Sequence, residues 1–121
     1  MNYASEANEK NTRETANPRD LEANLLLTAA ARLQAVHDSW KDKPAGLHEA
    51  LMYNRRLWIV FIDAVTRDDN KLPVMVRENL TRLGMWITAE TFSLMSKPMP
   101  DHLRNIIKIN RGIATGLRAK S

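Results

Sequence analysis

The sequence predicts an all-α protein: a single-domain bundle of four main helices behind a polar N-terminal arm. Apolar residues recur at spacings of three and four through four long segments. Short breakers separate those segments: Pro44-Ala45-Gly46, Arg67-Asp68-Asp69-Asn70-Lys71 and Lys97-Pro98-Met99-Pro100. A chain of 121 residues has room for one hydrophobic core and little room for a second. The boundaries are residues 1–16 for the arm and 17–121 for the helical domain.

The arm is polar, with Glu6, Asn8, Glu9, Lys10, Asn11, Thr12, Arg13 and Glu14 against Tyr3, Ala4, Ala7 and Ala16. So little apolar surface supports a mobile arm or a marginal helix, not a docked one. Asn17-Pro18-Arg19-Asp20 is a helix start: a capping side chain, a proline for the first turn and a carboxylate near the positive end. The first helix then runs to about Lys41, with Leu26, Ala29, Leu33, Val36 and Trp40 as its stripe and Leu25 and Ala30 widening it.

The second helix spans roughly Leu47 to Thr66. Its stripe is Leu47, Leu51, Asn54, Trp58, Phe61 and Val65, apolar throughout except at Asn54. The run Leu57-Trp58-Ile59-Val60-Phe61-Ile62 is long enough for a buried strand, but the helical period continues on both sides of it. Pro73 opens the third helix, which ends near Ser96 with Val76, Leu80, Leu83, Ile87 and Leu94 on one face. Met85, Trp86, Phe92 and Met95 lie elsewhere around that cylinder. A helix apolar on several sides is central in a bundle or offers a face to a partner. Interior Gly84 either permits close approach of a neighbour or is merely tolerated. The last helix, Pro100 to about Leu117, carries Leu103, Ile106, Ile113 and Leu117, with Asn110 in the same seam.

Composition excludes several functions. The chain has no cysteine, so disulfides, thiolate metal sites and thiol catalysis are out. The three histidines have no partners at metal-ligand spacing. In His48-Glu49, Met52 stands where a zinc-binding HExxH motif needs its second histidine. Asp68-Asp69-Asn70 lacks the glycine and the closing glutamate of a calcium loop. No phosphate-binding glycine loop and no nucleophile elbow occur, so neither an enzyme nor a cofactor is expected. No apolar run approaches the ~18 residues of a membrane span. The first residues lack the basic and apolar regions of a signal peptide, so the expected compartment is the cytoplasm.

Net charge is +4. Residues 101–121 hold five basic and one acidic side chain, so that segment alone carries an excess of four. It suits a nucleic acid or an acidic partner, or is a solvated face with cations favoured near a helix C-terminus.

Asn54 and Asn110 are each one polar residue in an apolar seam. They can hydrogen-bond to one another and set helix register, or Asn54 can line a groove. Arg55 is hard to bury without a partner, which points it toward a ligand. The candidate partner-binding residues are Tyr53, Arg55, Arg56, Trp58, Met85, Trp86 and Phe92, and the candidate structural polar residues are Asn54 and Asn110.

Four stretches carry a resemblance. They are Pro18-Arg19-Asp20-Leu21-Glu22-Ala23 leading into Leu25-Leu26-Leu27, and Glu49-Ala50-Leu51-Met52-Tyr53-Asn54-Arg55-Arg56-Leu57-Trp58. Val65-Thr66-Arg67-Asp68-Asp69-Asn70-Lys71-Leu72-Pro73 and Ile109-Asn110-Arg111-Gly112-Ile113-Ala114-Thr115-Gly116-Leu117-Arg118 complete the set. In this order and spacing the chain resembles the FlaF family of flagellar biosynthesis regulators from alphaproteobacteria. The resemblance implies a small, non-enzymatic, cytoplasmic helical protein that binds flagellin as an export chaperone. It also implies a link to the companion regulator FlbT, which acts on flagellin messenger RNA. From the residues comes a mode, an amphipathic flagellin segment laid helix-in-groove on surplus apolar surface. The alternative is an RNA-binding regulator of flagellin expression. Against it, the C-terminal cations are interleaved with Ile106, Ile107, Ile109 and Ile113, and no aromatic platform accompanies them.

Overall fold

The computed structural model describes residues 17–41 and 44–119. The N-terminal arm, residues 1–16, lies outside the described residues. The rest forms four helices, α1 (Pro18–Asp38), α2 (Leu47–Val65), α3 (Val74–Ser96) and α4 (Pro100–Ala119).

Asn17 caps α1 as expected. Its backbone is extended, and its side-chain oxygen accepts from the Arg19 N–H at 2.8 Å. The helix ends at Asp38, short of the expected Lys41. The Ser39 hydroxyl bonds back to the Ala35 carbonyl at 2.9 Å, a side-chain competitor that closes the last turn. Trp40 follows outside the helix yet still packs on the core. Gly46, at φ 78°, occupies the left-handed region and turns the chain into α2. Every residue of the expected α2 stripe is buried, Asn54 included.

α1 makes its broadest contact with α4; α2 packs against both α1 and α3, and α3 meets α4 only narrowly. The core has two apolar clusters. One gathers Ala23, Leu26, Trp58, Phe61, Val65, Leu80, Ile87, Ala114 and Leu117. The other gathers Ala30, Leu33, Leu47, Leu51, Leu94, Leu103, Ile106 and Ile107. Between the two, α2 contributes Asn54, α3 Thr91 and α4 Asn110, the buried polar residues of the described chain. The bundle therefore has a polar layer across its middle.

Gly84 resolves in favour of close approach. A Cβ there would stand 2.1 Å from Ile62 Cδ1 and 3.3 Å from Trp58 Cε3. The bare backbone lets α3 settle on α2. The α2–α3 link is equally specific. Asn70 donates from Nδ2 to the Ala64 carbonyl (3.1 Å) and accepts from the Leu72 N–H (3.0 Å). Arg77 reaches back to the Leu72 and Arg67 carbonyls, both at 3.1 Å. Carbonyls at the end of α2 and in the link thus gain side-chain donors. At the other end His102 contacts Glu90, tying α4 to α3.

Candidate functional site

The expected site residues separate into three places. Trp58 is the clearest departure. It is fully buried, and its Nε1–H donates to Asn110 Oδ1 at 2.9 Å. An indole committed on all sides has no surface to present, so Trp58 is corrected from partner anchor to core residue. The seam position of Trp58 carried that signal, since Asn54 four residues before it and Phe61 three after it are both buried.

Asn110 holds this node together. It donates to Asn54 Oδ1 at 2.6 Å and to the Leu26 carbonyl at 3.3 Å, while accepting from Trp58. One carboxamide thereby joins α1, α2 and α4. Asn54 Nδ2 is buried and has no hydrogen-bond partner.

Tyr53 lies on the opposite side of α2 from Arg55. It is half-buried, with the Arg32 guanidinium of α1 4.0 Å above its ring. This cation–π contact belongs to the α1–α2 seam. Arg56 is exposed to solvent.

Arg55 and Phe92 meet at the α2–α3 seam. The guanidinium carbon stands 5.5 Å from the ring centroid. Arg55 is half-buried, and its Nε is fully covered without an acceptor. No carboxylate pairs with it among the described residues. Phe92 is 54% exposed and Met85 67%. Residues seven and eleven apart share a helix face, which aligns Val74, Met85 and Phe92 along α3. On α2, Ile59 is one turn beyond Arg55, and it too is exposed. The seam ends in two shallow depressions. Val65, Thr66, Val74, Glu78 and Thr81 border one. Leu47, His48, Leu51 and Met95 border the other.

Trp86, at 40% exposure, lies on the other flank of α3 with Met75, eleven residues before it. The structure thus brings Arg55, Met85 and Phe92 to one groove and leaves Tyr53, Trp58 and Trp86 elsewhere. Sequence reasoning missed Ile59, Val60, Val74 and Met75, all exposed. A signal existed for the first two: six consecutive apolar residues wrap right round a helix, so some of Leu57 to Ile62 must face outward.

A second surface lies on α4. Arg104, Lys108, Arg111 and Arg118 are all exposed and fall on one face at spacings of four, three and seven. The interleaved isoleucines point inward, so they do not interrupt this basic stripe. Arg118 also bonds Asn24 Oδ1 of α1 at 2.5 Å.

A family model described as "Flagellar protein FlaF" matches residues 4–117. The chain belongs to the FlaF family. Comparison with curated proteins gave no match, and comparison with solved structures gave none either. The match takes in the whole of the Asn54–Trp58–Asn110 node and the Asn70 link. In this FlaF family chain, the stretches that carried the resemblance are therefore largely stretches with internal work: a buried node, a loop clamp and a helix cap. No helix among the described residues is long and apolar enough to cross a membrane.

Proposed function

We propose that this FlaF family chain is a non-enzymatic regulator that binds flagellin in the cytoplasm as an export chaperone. One observation carries the reading beyond the family. The outer half of α3 presents Val74, Met75, Met85, Trp86 and Phe92 to solvent. Solvent-facing apolar side chains gathered on one helix mark an interaction surface on a soluble domain. Methionines suit such a surface because the unbranched thioether repacks around different partners. An amphipathic helix is the complementary shape, and aromatic side chains supply the anchors.

Titration of purified flagellin into the folded chain, followed by calorimetry, tests the reading. A saturable complex is expected. Absence of binding at protein concentrations on the order of tens of micromolar would remove it, since a cytoplasmic chaperone complex weaker than that is too sparsely populated to act.

The second reading, RNA binding, is favoured by the aligned cations of α4. Contacts to phosphate give affinity that falls steeply with salt. Flagellin messenger RNA that fails to bind even at low salt would dismiss it. The α4 face shows no exposed aromatic for base stacking, which keeps protein binding first.

A further inference from the structure

We propose that the α2–α3 groove receives a single partner helix whose apolar face is flanked by a carboxylate, and that Arg55 is the residue that pairs with it. The inference rests on the flagellin reading and gives the bound segment its chemistry.

Arg55 carries an unfinished charge. Arg55 Nε is covered by protein and has no acceptor, and no acidic side chain pairs with the guanidinium among the described residues. A half-buried cation without a counter-charge is unfavourable, and one arriving carboxylate relieves it. Nearby acids are otherwise engaged: Asp63 pairs with Arg67, and Glu90 contacts His102. The Phe92 ring holds the guanidinium at the seam, so its planar fork is oriented before a partner arrives.

Near that charge the groove is apolar, and it turns charged only toward the α2–α3 link, at Arg77, Glu78 and Arg82. Ile59 rises from α2, and Val74, Met85 and Phe92 from α3, all exposed. From Val74 to Met95 the seam follows α3 for roughly 30 Å, at 1.5 Å per residue. That length matches a helix of about 20 residues. Leucine-type contacts at successive turns and one acid at mid-length would satisfy both features at once. A lipid surface or a nucleic acid fits less well, since the seam's other cations, Arg77 and Arg82, lie at its far end beside Glu78, and Arg77 is already held by two backbone carbonyls.

The experiment uses the full chain and overlapping peptides that tile the flagellin sequence. A photoreactive residue replacing Met85 reports what sits in the groove. Capture of one flagellin peptide is expected, and Arg55→Ala should weaken that peptide by about tenfold or more, chiefly in its dissociation rate. Neutralising the peptide's carboxylate should weaken wild type by a similar factor and leave Arg55→Ala unchanged, the signature of a direct pair. Thr115→Ala, at an exposed position of α4 outside the groove, should change affinity little. Circular dichroism confirms that each variant is folded, and Arg55→Lys, which keeps charge but loses the fork, provides a second variant. Flagellin that binds with Arg55→Ala and Phe92→Ser at undiminished affinity overturns the groove and leaves the chaperone reading standing. Flagellin that binds neither variant nor wild type overturns both. Capture of a second copy of the chain, or of residues 1–16 of the same chain, assigns the groove to that occupant and overturns the proposal.

Discussion

Asn110 donates from Nδ2 to Asn54 Oδ1 across 2.6 Å, in a layer where both side chains are wholly sheltered from solvent. Asn110 uses both amide hydrogens and accepts from Trp58, whereas Asn54 leaves its own Nδ2 unused. The two asparagines are therefore unequal. Replacing Asn110 by leucine strands Trp58 Nε1 and Asn54 Oδ1 together, and should destabilise the fold by about 3 kcal/mol. Asn54→Leu strands one amide hydrogen of Asn110 while removing an unpaired donor, and should cost less than half as much. Urea unfolding curves, followed through tryptophan fluorescence, rank the two. Equal losses would remove the hub role of Asn110.

Gly84 is a packing requirement. An alanine there gains about 1 kcal/mol in helix propensity but forces Ile62 aside, an overpacking cost of about 1–3 kcal/mol. Gly84→Ala is expected to lower stability on balance. Ile62→Ala clears the intruding atoms, so the double variant should be markedly more stable than the two single losses added together. Strict additivity would place the helices farther apart than the structure does.

The Arg77 guanidinium clamps the α2–α3 link through two carbonyls. Arg77→Ala should cost about 1–2 kcal/mol, as for other hydrogen bonds from a charged donor. Hydrogen exchange provides the sharper measurement. Amides of residues 67–72 should exchange faster, while those in the α1–α4 interface keep their protection.

Glu22 borders an apolar depression with Leu25, Leu57, Val60 and Phe61. Burial raises its pKa above the ordinary 4.5, and Arg19 beside it opposes the rise only in part. The folded state therefore holds this proton more tightly than the unfolded chain does. The resulting stabilisation is complete below the unfolded pKa and is lost as pH rises through the folded one. Glu22→Gln removes that dependence. The stability of Glu22→Gln relative to wild type should climb between acid pH and neutrality, read from paired thermal melts. A flat difference would mean that Glu22 is ionised as freely as in the unfolded chain.

Arg55 and Asn54 are adjacent in sequence and opposite in role. The Arg55 guanidinium rests on Phe92, a contact worth about 0.5–1 kcal/mol at a partly exposed site. Arg55→Ala should leave a folded, monodisperse protein. Its loss of folding would show that the arginine serves the bundle and not a partner.

Helix positions, the α1 cap, the α2 stripe and the pairing of Asn54 with Asn110 were all legible in the sequence. Each follows from local chemistry or from periodicity along one helix, and both are written in the order of residues. The polar layer needed one more step, because Thr91 looks like any helical threonine until its neighbours on α2 and α4 are aligned. Trp58 and Trp86 show where sequence reading stops. Both are tryptophans in apolar helices, yet one is sealed beneath Asn110 and the other faces solvent. The stripe of α2 already pointed Trp58 inward, but only the packing of α3 against α2, with Gly84 at the contact, left Trp86 outside. The same packing set Arg55 beside Phe92, residues 37 apart in the chain. Local chemistry told how each helix forms, but the exposed face of a helix depends on which neighbours cover it, and that is a property of the assembled bundle.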